Sequence, residues 1–304
     1  MRAILIREYE PGKCFAGKRV VALGFFDGVH LGHREILKRA VCEAKKRSLP
    51  SAVFTFYSES DGIKGEERIY STKEKLSLIS ECGIDEVIIS DFNAVKSLSA
   101  EDFIRKTLIE ELGASVALSG KDFRFGKGAL GNTEMLACSL EALGAELICP
   151  EDVKIDGEKI SSTRVKELLR NGSVKRAAEL LGAPYFVKST VKRGLGLGRG
   201  FGFPTVNIEM EKNAVSLPSG VYKCRAEAAG LSYKAVTNVG SCPTVSDREK
   251  HIETYIIGYE GDLYGEEISV SFLDFIRPEK KFDSVEQLKM QINIDINTAF
   301  GNKE

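Results

Sequence analysis

Residues 24–33 read Gly-Phe-Phe-Asp-Gly-Val-His-Leu-Gly-His, and this stretch decides the fold of the first half of the chain. An apolar run at 19–23 leads into it and an amphipathic run at 33–47 leads out, which predicts a strand, a glycine-rich turn and a helix. Glycine lets the backbone approach a ligand closely, and the N–H groups at a helix N-terminus favour an anion. His30 and His33, two of the chain's three histidines, lie at the helix entry. The stretch therefore predicts a phosphate-binding turn.

The pattern of this stretch repeats along the first half of the chain. Apolar strand-like runs alternate with amphipathic helical runs, and the helix at 71–82 opens on the capping-box pattern Ser-Thr-Lys-Glu. Five strands alternating with four helices predict a parallel, doubly wound sheet, whose ligands bind outside the carboxyl ends of the strands. The predicted strands are 19–23, 51–56, 86–90, 115–119 and 146–149.

The length and net charge of the chain indicate how many domains it has and which kinds of partner it binds. A chain of 304 residues predicts two domains, and 43% hydrophobic with 29% charged residues is ordinary for a globular protein. The net charge of −1 argues against nucleic acid or an anionic membrane held by bulk electrostatics, and favours a small-molecule partner.

The spacing of the cysteines and the length of the apolar runs indicate in which cellular compartment the protein is expected. Seven cysteines are scattered without a C-x-x-C pair, so neither a disulfide framework nor a zinc site is indicated. A run of about eighteen apolar residues, the signature of a membrane helix, does not occur in the sequence. We expect a cytoplasmic protein with reduced thiols, and leave self-association open.

Two further stretches carry residues suited to ligand binding. Residues 120–128 read Gly-Lys-Asp-Phe-Arg-Phe-Gly-Lys-Gly and form a loop after a predicted strand, although an ordinary exposed loop would fit the same pattern. Residues 160–166 read Ile-Ser-Ser-Thr-Arg-Val-Lys at a predicted helix start. Hydroxyl groups there accept hydrogen bonds from the free N–H groups of the helix start, and they can also bind phosphate. Arg164 and Lys166 add positive charge that would attract the phosphate.

Together these three stretches resemble the nucleotidyltransferase half of the bacterial bifunctional riboflavin kinase/FAD synthetase family, over residues 1 to about 183. The resemblance implies that this half transfers AMP from ATP to FMN and releases pyrophosphate, helped by Mg²⁺. Such chemistry depends mainly on positioning and charge neutralisation. The implied site residues are His30 and His33 on the phosphates; Gly24, Phe26, Asp27, Gly28 and Gly32 in the turn; Ser161, Ser162, Thr163 and Lys166 on phosphate oxygens; and Asp122, Phe123 and Phe125 around the flavin.

Two departures from the family pattern fall in this half. Residues 56–60 read Phe-Tyr-Ser-Glu-Ser, where many relatives have a histidine between two prolines. Lys166 stands where relatives usually have arginine, which keeps the charge but loses the bidentate fork. We expect adenylylation to be retained.

From Pro184 onward the chain changes to short β-rich runs separated by Gly, Pro and Asn. These runs predict a small antiparallel barrel or sandwich, closed by a helix with Leu288, Ile292 and Ile296 on one face. We place the domain boundary at 182–184, which divides the chain into domains 1–183 and 184–304. The predicted strands are 185–191, 220–226, 233–238, 252–259 and 268–275.

The chemistry of the second half gathers in the glycine-dense stretch 193–207. Its glycines and arginines suit a loop over phosphates, although a glycine run alone can be a linker. Thr205 and Asn207 lie two apart on an extended segment, so both face one side and can offer oxygen to Mg²⁺. Glu253 lies in an alternating strand, where a solvated glutamate is the ordinary interpretation.

Residues 184–304 resemble the riboflavin kinase module throughout. The resemblance rests on Gly-Phe-Pro-Thr-Val-Asn at 202–207, Asn-Val-Gly at 238–240, Asp-Leu-Tyr-Gly at 262–265 and Arg-Pro-Glu-Lys-Lys-Phe at 277–282. It implies a six-stranded barrel in which Thr205 and Asn207 bind Mg-ATP and Glu253 deprotonates the ribityl 5′-hydroxyl. The loop residues that would bind the nucleotide are Gly198, Arg199 and Gly202.

The sequence thus predicts an enzyme that converts riboflavin to FMN and FMN to FAD with ATP as co-substrate. Two alternatives remain open at this point. The chain could be a riboflavin kinase with a degenerate adenylyltransferase half, or a non-catalytic protein that binds flavin or nucleotide as a regulator. Product analysis separates the three.

Overall fold

A computed structural model describes residues 4–57, 67–193, 203–211, 213–241 and 250–301. The chain divides into two compact units, Met1–Ser162 and Thr163–Glu304. Three predicted nucleotide-binding residues, Gly198, Arg199 and Gly202, lie outside the described residues.

The first unit is built on a parallel sheet, as predicted. Its six strands lie in the order β1-β4-β3-β2-β5-β6, and each neighbouring pair is parallel. The chain therefore reverses its direction of winding at β2, between β3 on one side and β5 on the other. The strands are β1 (Leu5–Glu8), β2 (Arg19–Leu23), β3 (Ser51–Phe56), β4 (Glu86–Ser90), β5 (Ala114–Leu118) and β6 (Glu146–Ile148).

The prediction of five strands was wrong by one, because β1 was missed. All four residues of β1 are exposed, and the strand joins the sheet edge by backbone pairing with β4. An exposed edge strand has no apolar alternation for a sequence pattern to detect. A short hairpin of β7 (Lys154–Ile155) and β8 (Glu158–Lys159) was missed for the same reason.

The helices of this unit follow the predicted alternation. The helix α1 buries Leu37, Ala40 and Ala44, and α2 begins with a complete capping box from Ser71 and Glu74. The third predicted helix is a short α-helix that continues as a π-helix over Phe103–Glu111. The helices are α1 (Leu31–Arg47), α2 (Thr72–Ser80), α3 (Ala100–Asp102) and α4 (Thr133–Ala142).

The second unit holds a six-stranded antiparallel sheet in the order β10-β13-β12-β11-β14-β9. The Lys192 N–H donates to the Asn207 carbonyl over 2.9 Å, which links the chain after β9 to the other edge and nearly closes a barrel. The predicted barrel is confirmed. Its strands are β9 (Phe186–Thr190), β10 (Thr205–Glu209), β11 (Gly220–Ala228), β12 (Leu231–Ser241), β13 (Lys250–Ile256) and β14 (Glu267–Pro278).

Three helices complete this unit: α5 (Ser162–Arg170), whose first residue belongs to the first unit, α6 (Val174–Leu181) and α7 (Val285–Phe300). The helix α6 packs on β14, and α7 packs on β11, β12 and β14. Asp295 of α7 accepts hydrogen bonds from Nε and Nη2 of Arg277, each over 2.8 Å. This bidentate pair is nearly buried on the Asp295 side and anchors α7 to the sheet.

Candidate active sites

The first candidate site lies where the parallel sheet reverses its direction of winding. The turn at 24–30 follows the carboxyl end of β2, and the loop at 119–125 follows the carboxyl end of its neighbour β5. Ligands of open parallel sheets bind in the crevice at such a switch point. Two of the three predicted motifs are therefore brought to one crevice by the strand order.

The turn after β2 has a strained backbone. Phe26 has φ of 55° and Val29 has φ of 41°, both in the left-handed region that L-residues avoid. For a β-branched residue such as Val29 this conformation is a real outlier, and strain of this kind is concentrated at functional sites. Gly28 has φ of 82°, and a Cβ there would lie 2.6 Å from Ile69 Cδ1, so this position requires glycine.

Asp27 ties the turn to its surroundings. Its Oδ1 accepts the Ile69 N–H over 2.9 Å, and its carbonyl accepts the Ser162 hydroxyl over 2.8 Å. The Ser162 contact brings the hydroxyl stretch at 161–162 to the histidine turn. Thr163 and Lys166 follow Ser162 along α5 and are counted with the second unit. Asp27 is thus a structural support of the turn, a role that its place in the motif did not reveal.

His30 and His33 form a stacked pair. Their ring centroids are 3.6 Å apart with 14° between the planes, and Phe26 packs edge-on against His33 at 5.2 Å. Nδ1 of His30 accepts the His33 backbone N–H over 3.2 Å, so the neutral ring carries its proton on Nε2 and can donate it to a ligand. Among the described residues, Nδ1 of His33 is buried and meets no hydrogen-bond partner.

Both histidines are neutral at pH 7. Burial lowers the pKa of His30 to about 4, and the nearby Lys159 charge acts in the same direction. Burial also holds the pKa of His33 well below its usual range, helped by His30, Lys75 and Lys159. The two rings therefore meet an anion as hydrogen-bonding groups, and fixed positive charge must come from other side chains.

Acid should destabilise the first unit through His30. Its folded pKa lies below the ordinary 6.5, so the unfolded chain binds a proton that the folded chain lacks between about pH 6.5 and 4. This stabilisation is present at pH 7 and is lost as the pH falls through that window. The expected loss at pH 5 is about 2 kcal/mol. Thermal melting at pH 5 and 7 measures it, and His30→Gln should flatten the dependence. An equal pH dependence in the variant would contradict the assignment.

Asp122 of the loop after β5 is held by an ion pair. Lys159 Nζ lies 3.0 Å from Asp122 Oδ2 and 3.0 Å from Asp152 Oδ1. The Lys159 ammonium group thus lies near both the His30–His33 pair and the loop after β5. The sequence analysis did not single out Lys159, because a lysine in a short hairpin has no pattern that separates it from a solvated one.

Aromatic rings line the same edge of the sheet. Phe56, at the end of β3, stacks on Phe25 at 6.4 Å and meets Phe92 at 5.3 Å. In the predicted flavin loop, Phe123 is half-buried and stacks on Phe125 at 5.7 Å, whereas Phe125 is buried in the core. Phe125 therefore anchors the loop to the hydrophobic core. The partly exposed rings are the ones suited to a planar ligand.

Two buried cations lie behind the turn and were missed by sequence reasoning. Lys75 is fully buried, and its Nζ lies 4.4 Å from the centre of the Phe25 ring and donates to the Phe56 carbonyl. Arg68 is 4% exposed, with Cζ 4.7 Å from the same ring. Both cations therefore lie against the same ring, where burial strengthens their electrostatic attraction to it. In the sequence, Lys75 reads as one more solvated residue of a capped helix.

The second candidate site is a row of polar side chains on the antiparallel sheet. Glu253 of β13 lies directly opposite Asn207 of β10 and, on its other side, opposite Asn238 of β12. Directly paired residues point to the same face, so these three side chains share one surface. Thr205 lies opposite Tyr255, two register positions from the Asn207–Glu253 pair and therefore on the same face, and Tyr255 packs edge-on against Phe203 at 5.3 Å. The predicted kinase residues Thr205, Asn207 and Glu253 are thus neighbours.

A small open cleft lies beside Thr205. Pro204, Thr205 and Val206 form one wall, and the segment after β13 forms the other. Arg193 adds a cation whose Cζ is 5.5 Å from the Tyr264 ring. The cleft has the mixed polar and apolar lining that small-molecule sites usually have. The remaining lining residues are Val191, Ile256, Tyr259, Gly261, Asp262, Leu263 and Tyr264.

Both halves of the chain are similar to known proteins. The sequence profile of FAD synthetase matches residues 14–164, and that of riboflavin kinase matches residues 181–301. The chain is 34% identical to the bifunctional riboflavin kinase/FMN adenylyltransferase of Bacillus subtilis, covering 93% of this chain and 92% of that protein. It is 35% identical to the protein of the same name from Escherichia coli K12, covering 92% and 91%.

A solved structure is also similar. The crystal structure of a Streptococcus pneumoniae protein named a macrolide-efflux protein has a TM-score of 0.88 and 32% identity, covering 99% of this chain and 100% of that one. In the part of the present chain that the structure describes, no helix is long and apolar enough to cross a membrane.

A nucleotidyltransferase-type parallel sheet followed by a riboflavin kinase-type barrel defines a class of two-module transferase that forms flavin nucleotides. The chain belongs to the bifunctional riboflavin kinase/FMN adenylyltransferase family. The family predicted from the sequence is confirmed, with both halves represented. The individual site residues, the domain boundary and the cytoplasmic location stay predictions.

Proposed function

We propose that the second unit phosphorylates riboflavin to FMN and that the first unit adenylylates FMN to FAD, with ATP as co-substrate in both steps. One observation carries the proposal. Each half matches a different transferase of flavin synthesis, and each half has polar side chains gathered at one place in its sheet. A regulator that only binds flavin would need no pair of separate polar centres.

In the adenylyl transfer, an oxygen of the FMN phosphate attacks the α-phosphorus of ATP. The bond from that phosphorus to the bridging oxygen breaks, and pyrophosphate leaves. Nε2–H of His30 donates to a phosphate oxygen on which charge develops, and the stacked His33 fixes the plane of the ring. The strained turn holds both rings in place before the substrates arrive, so little reorganisation is needed.

In the kinase step, Glu253 accepts the proton of the ribityl 5′-hydroxyl. The oxygen then attacks the γ-phosphorus of ATP, the bond to the bridging oxygen breaks, and ADP leaves. Asn207 lies beside Glu253 on the same face and Thr205 borders the open cleft, so the acceptor and the nucleotide meet between them. A positioned base typically contributes about 10² to 10⁴ in rate.

Mg²⁺ fits the donors of the kinase site. In the described ranges, no group of three or more His, Cys, Asp and Glu side chains is placed to hold a metal ion. Mg²⁺ needs no such cage, because it binds through one or two protein oxygens, waters and substrate phosphates. Thr205 and Asn207 offer a hydroxyl and an amide oxygen next to the cleft. When bound there, Mg²⁺ would neutralise charge on the nucleotide phosphates.

Asn207→Ala should damage only the kinase step. The variant lacks the amide oxygen that would bind Mg²⁺ beside Glu253. The Mg-ATP concentration needed for half-maximal FMN formation is therefore expected to rise several-fold or more, while adenylylation of supplied FMN is unchanged. The measurement is the initial rate of each reaction over a range of Mg-ATP. Equal loss of both activities would indicate general destabilisation instead.

The domain boundary at 182–184 leads to a fragment experiment. We propose that 184–304 folds cooperatively and retains kinase activity, because its sheet and α7 are complete. The fragment lacks α6, which buries Val174, Ala177 and Leu180 and packs on β14. A longer fragment, 163–304, should therefore melt at a higher temperature with the same activity. An inactive 184–304 beside an active 163–304 would move the functional boundary to the longer fragment.

Product analysis tests the function as a whole. Purified protein with riboflavin, ATP and Mg²⁺ is expected to make FMN and then FAD, separated by chromatography. FMN alone would support a kinase with a silent first unit, and tight binding without turnover would support a regulator. The departures at Lys166 and residues 56–60 make FAD the decisive product.

A further inference from the structure

Val29 has a strained backbone directly before the first histidine of the turn. It is β-branched and fully buried and has φ of 41°, whereas His30 already has the extended backbone of a helix N-cap. The direction of the His30 ring depends on this change of backbone conformation. A strained conformation of this kind persists only where the surrounding contacts hold it.

Arg34 supplies such a contact. Its Nε–H donates to the Val29 carbonyl over 3.1 Å, and its backbone N–H donates to the His30 carbonyl over 2.9 Å. The second bond is the ordinary bond of an α-helix, but the first reaches from α1 back across its own N-terminus. Val29 and His30 are therefore both joined to α1 by one residue, which uses its side chain for Val29 and its main chain for His30.

The charge of Arg34 does not favour the helix by itself. A cation near a helix N-terminus lies at the positive end of the helix dipole, and the first turn of α1 has no acidic residue to offset it. Nη2 of Arg34 lies 3.9 Å from Oε2 of Glu81, an exposed residue at the end of α2. An exposed ion pair at this distance contributes little to stability. The bond to the Val29 carbonyl is therefore the stronger contact of this side chain.

The His30 ring is held on its other side by the start of α1. Its Nδ1 accepts the His33 backbone N–H over 3.2 Å. A Cβ on Gly32 would lie 3.2 Å from both Cε1 and Nδ1 of the ring, so glycine allows the ring to lie over the helix start. With Nδ1 fixed in this way, the direction of Nε2–H follows from the backbone at Val29 and His30.

We propose that Arg34 is a positioning residue for adenylyl transfer, which holds the Val29 carbonyl and thereby directs Nε2–H of His30 toward a phosphate oxygen. The proposal rests on the proposed role of His30, which remains the residue that contacts the substrate. Donors to a developing charge are effective because they need no reorganisation during the reaction. A loosened turn should therefore slow the chemical step more than it weakens substrate binding.

Two substitutions of similar length separate the hydrogen bond of Arg34 from its charge. The amide nitrogen of glutamine is as many bonds from Cα as Nε of arginine, so Arg34→Gln can still donate to the Val29 carbonyl. Arg34→Met places a methyl group at that point and has no donor. Both variants remove the charge and the pairing with Glu81.

The measurement is steady-state adenylylation of supplied FMN by the full chain. Arg34→Met is expected to lower kcat about 10- to 100-fold, the range for a small misplacement of a catalytic group, while KM for FMN and for ATP changes less than about 3-fold. Arg34→Gln should retain most of the kcat. Arg34→Ala also lacks the donor and gives the same comparison if the methionine variant does not fold.

Arg39→Met is the matched control on the same helix. Arg39 is exposed, and its Nε lies 3.0 Å from Oε1 of Glu43, so its loss should leave both activities unchanged. The kinase activity of each variant should also be normal.

An equal fall in kcat for Arg34→Gln and Arg34→Met would assign the effect to the charge and overturn the proposal. Normal kcat in Arg34→Met, or a raised KM at normal kcat, would also overturn it. Unchanged FAD synthesis after replacement of both His30 and His33 by alanine would instead refute the underlying site, independently of Arg34.

Discussion

Replacing His30 and His33 together by alanine is expected to lower FAD formation from FMN by at least about 10³-fold, while FMN formation from riboflavin continues. Loss of a single preorganised hydrogen-bond donor to a developing charge costs about 10² to 10³ in rate. The two rings are stacked at 3.6 Å, so removing both also removes the packing that orients them. The kinase residues lie in the other unit and keep their surroundings.

The measurement is chromatography of flavin products together with pyrophosphate release from supplied FMN, ATP and Mg²⁺. The kinase activity of the same preparation is the internal control for folding of the second unit. His30→Gln, which keeps a polar group but not the ring, should lose less than the double variant. Retained FAD synthesis in the double variant would remove the histidines from the site. If the unmodified chain makes no FAD, the kinase-only alternative replaces the proposal.

Glu253→Gln is expected to lower FMN formation by about 10² to 10⁴, the usual contribution of a general base. Glutamine has the same shape and keeps the pairing of β13 with β10 and β12, so the protein should fold normally. Only the ability to accept the proton of the hydroxyl is removed. Riboflavin binding should survive, because the hydrogen-bonding surface around the residue is unchanged.

Two readouts check this assignment. Rapid kinetics of FMN formation measures the loss, and quenching of riboflavin fluorescence measures binding in the same variant. Adenylylation of supplied FMN should be normal, since His30 and His33 belong to the first unit. Near-normal turnover in Glu253→Gln would return the residue to the ordinary solvated glutamate of an alternating strand.

Much of the architecture follows from local patterns of the sequence. The alternation of apolar strands with one-faced helices was sufficient to predict a parallel sheet, and the change of pattern after Pro184 was sufficient to predict an antiparallel barrel. Both predictions are confirmed. Capping signals such as Ser71 with Glu74 worked because they depend on residues three apart in the chain. The exposed strand β1 was missed because backbone pairing at an edge leaves no side-chain pattern.

The motifs likewise indicate candidate binding residues, since glycine, histidine and hydroxyl groups at a strand-to-helix turn suit a phosphate. Their mutual arrangement required the tertiary structure. The sequence does not contain the strand order that brings the loops after β2 and β5 to one crevice, nor the register that places Asn207 and Asn238 on either side of Glu253. Both are set by contacts between residues far apart in the chain.

The residues that surround the first candidate site from other parts of the chain are revealed only by the tertiary structure. Lys75 and Arg68 each read in the sequence as ordinary charged surface residues. In the folded chain both are buried against the Phe25 ring. Charge is assigned by the sequence, but burial and proximity depend on how distant segments pack. The sequence by itself therefore determined the family and the kinds of chemistry, and only the packing decided which charges face each site.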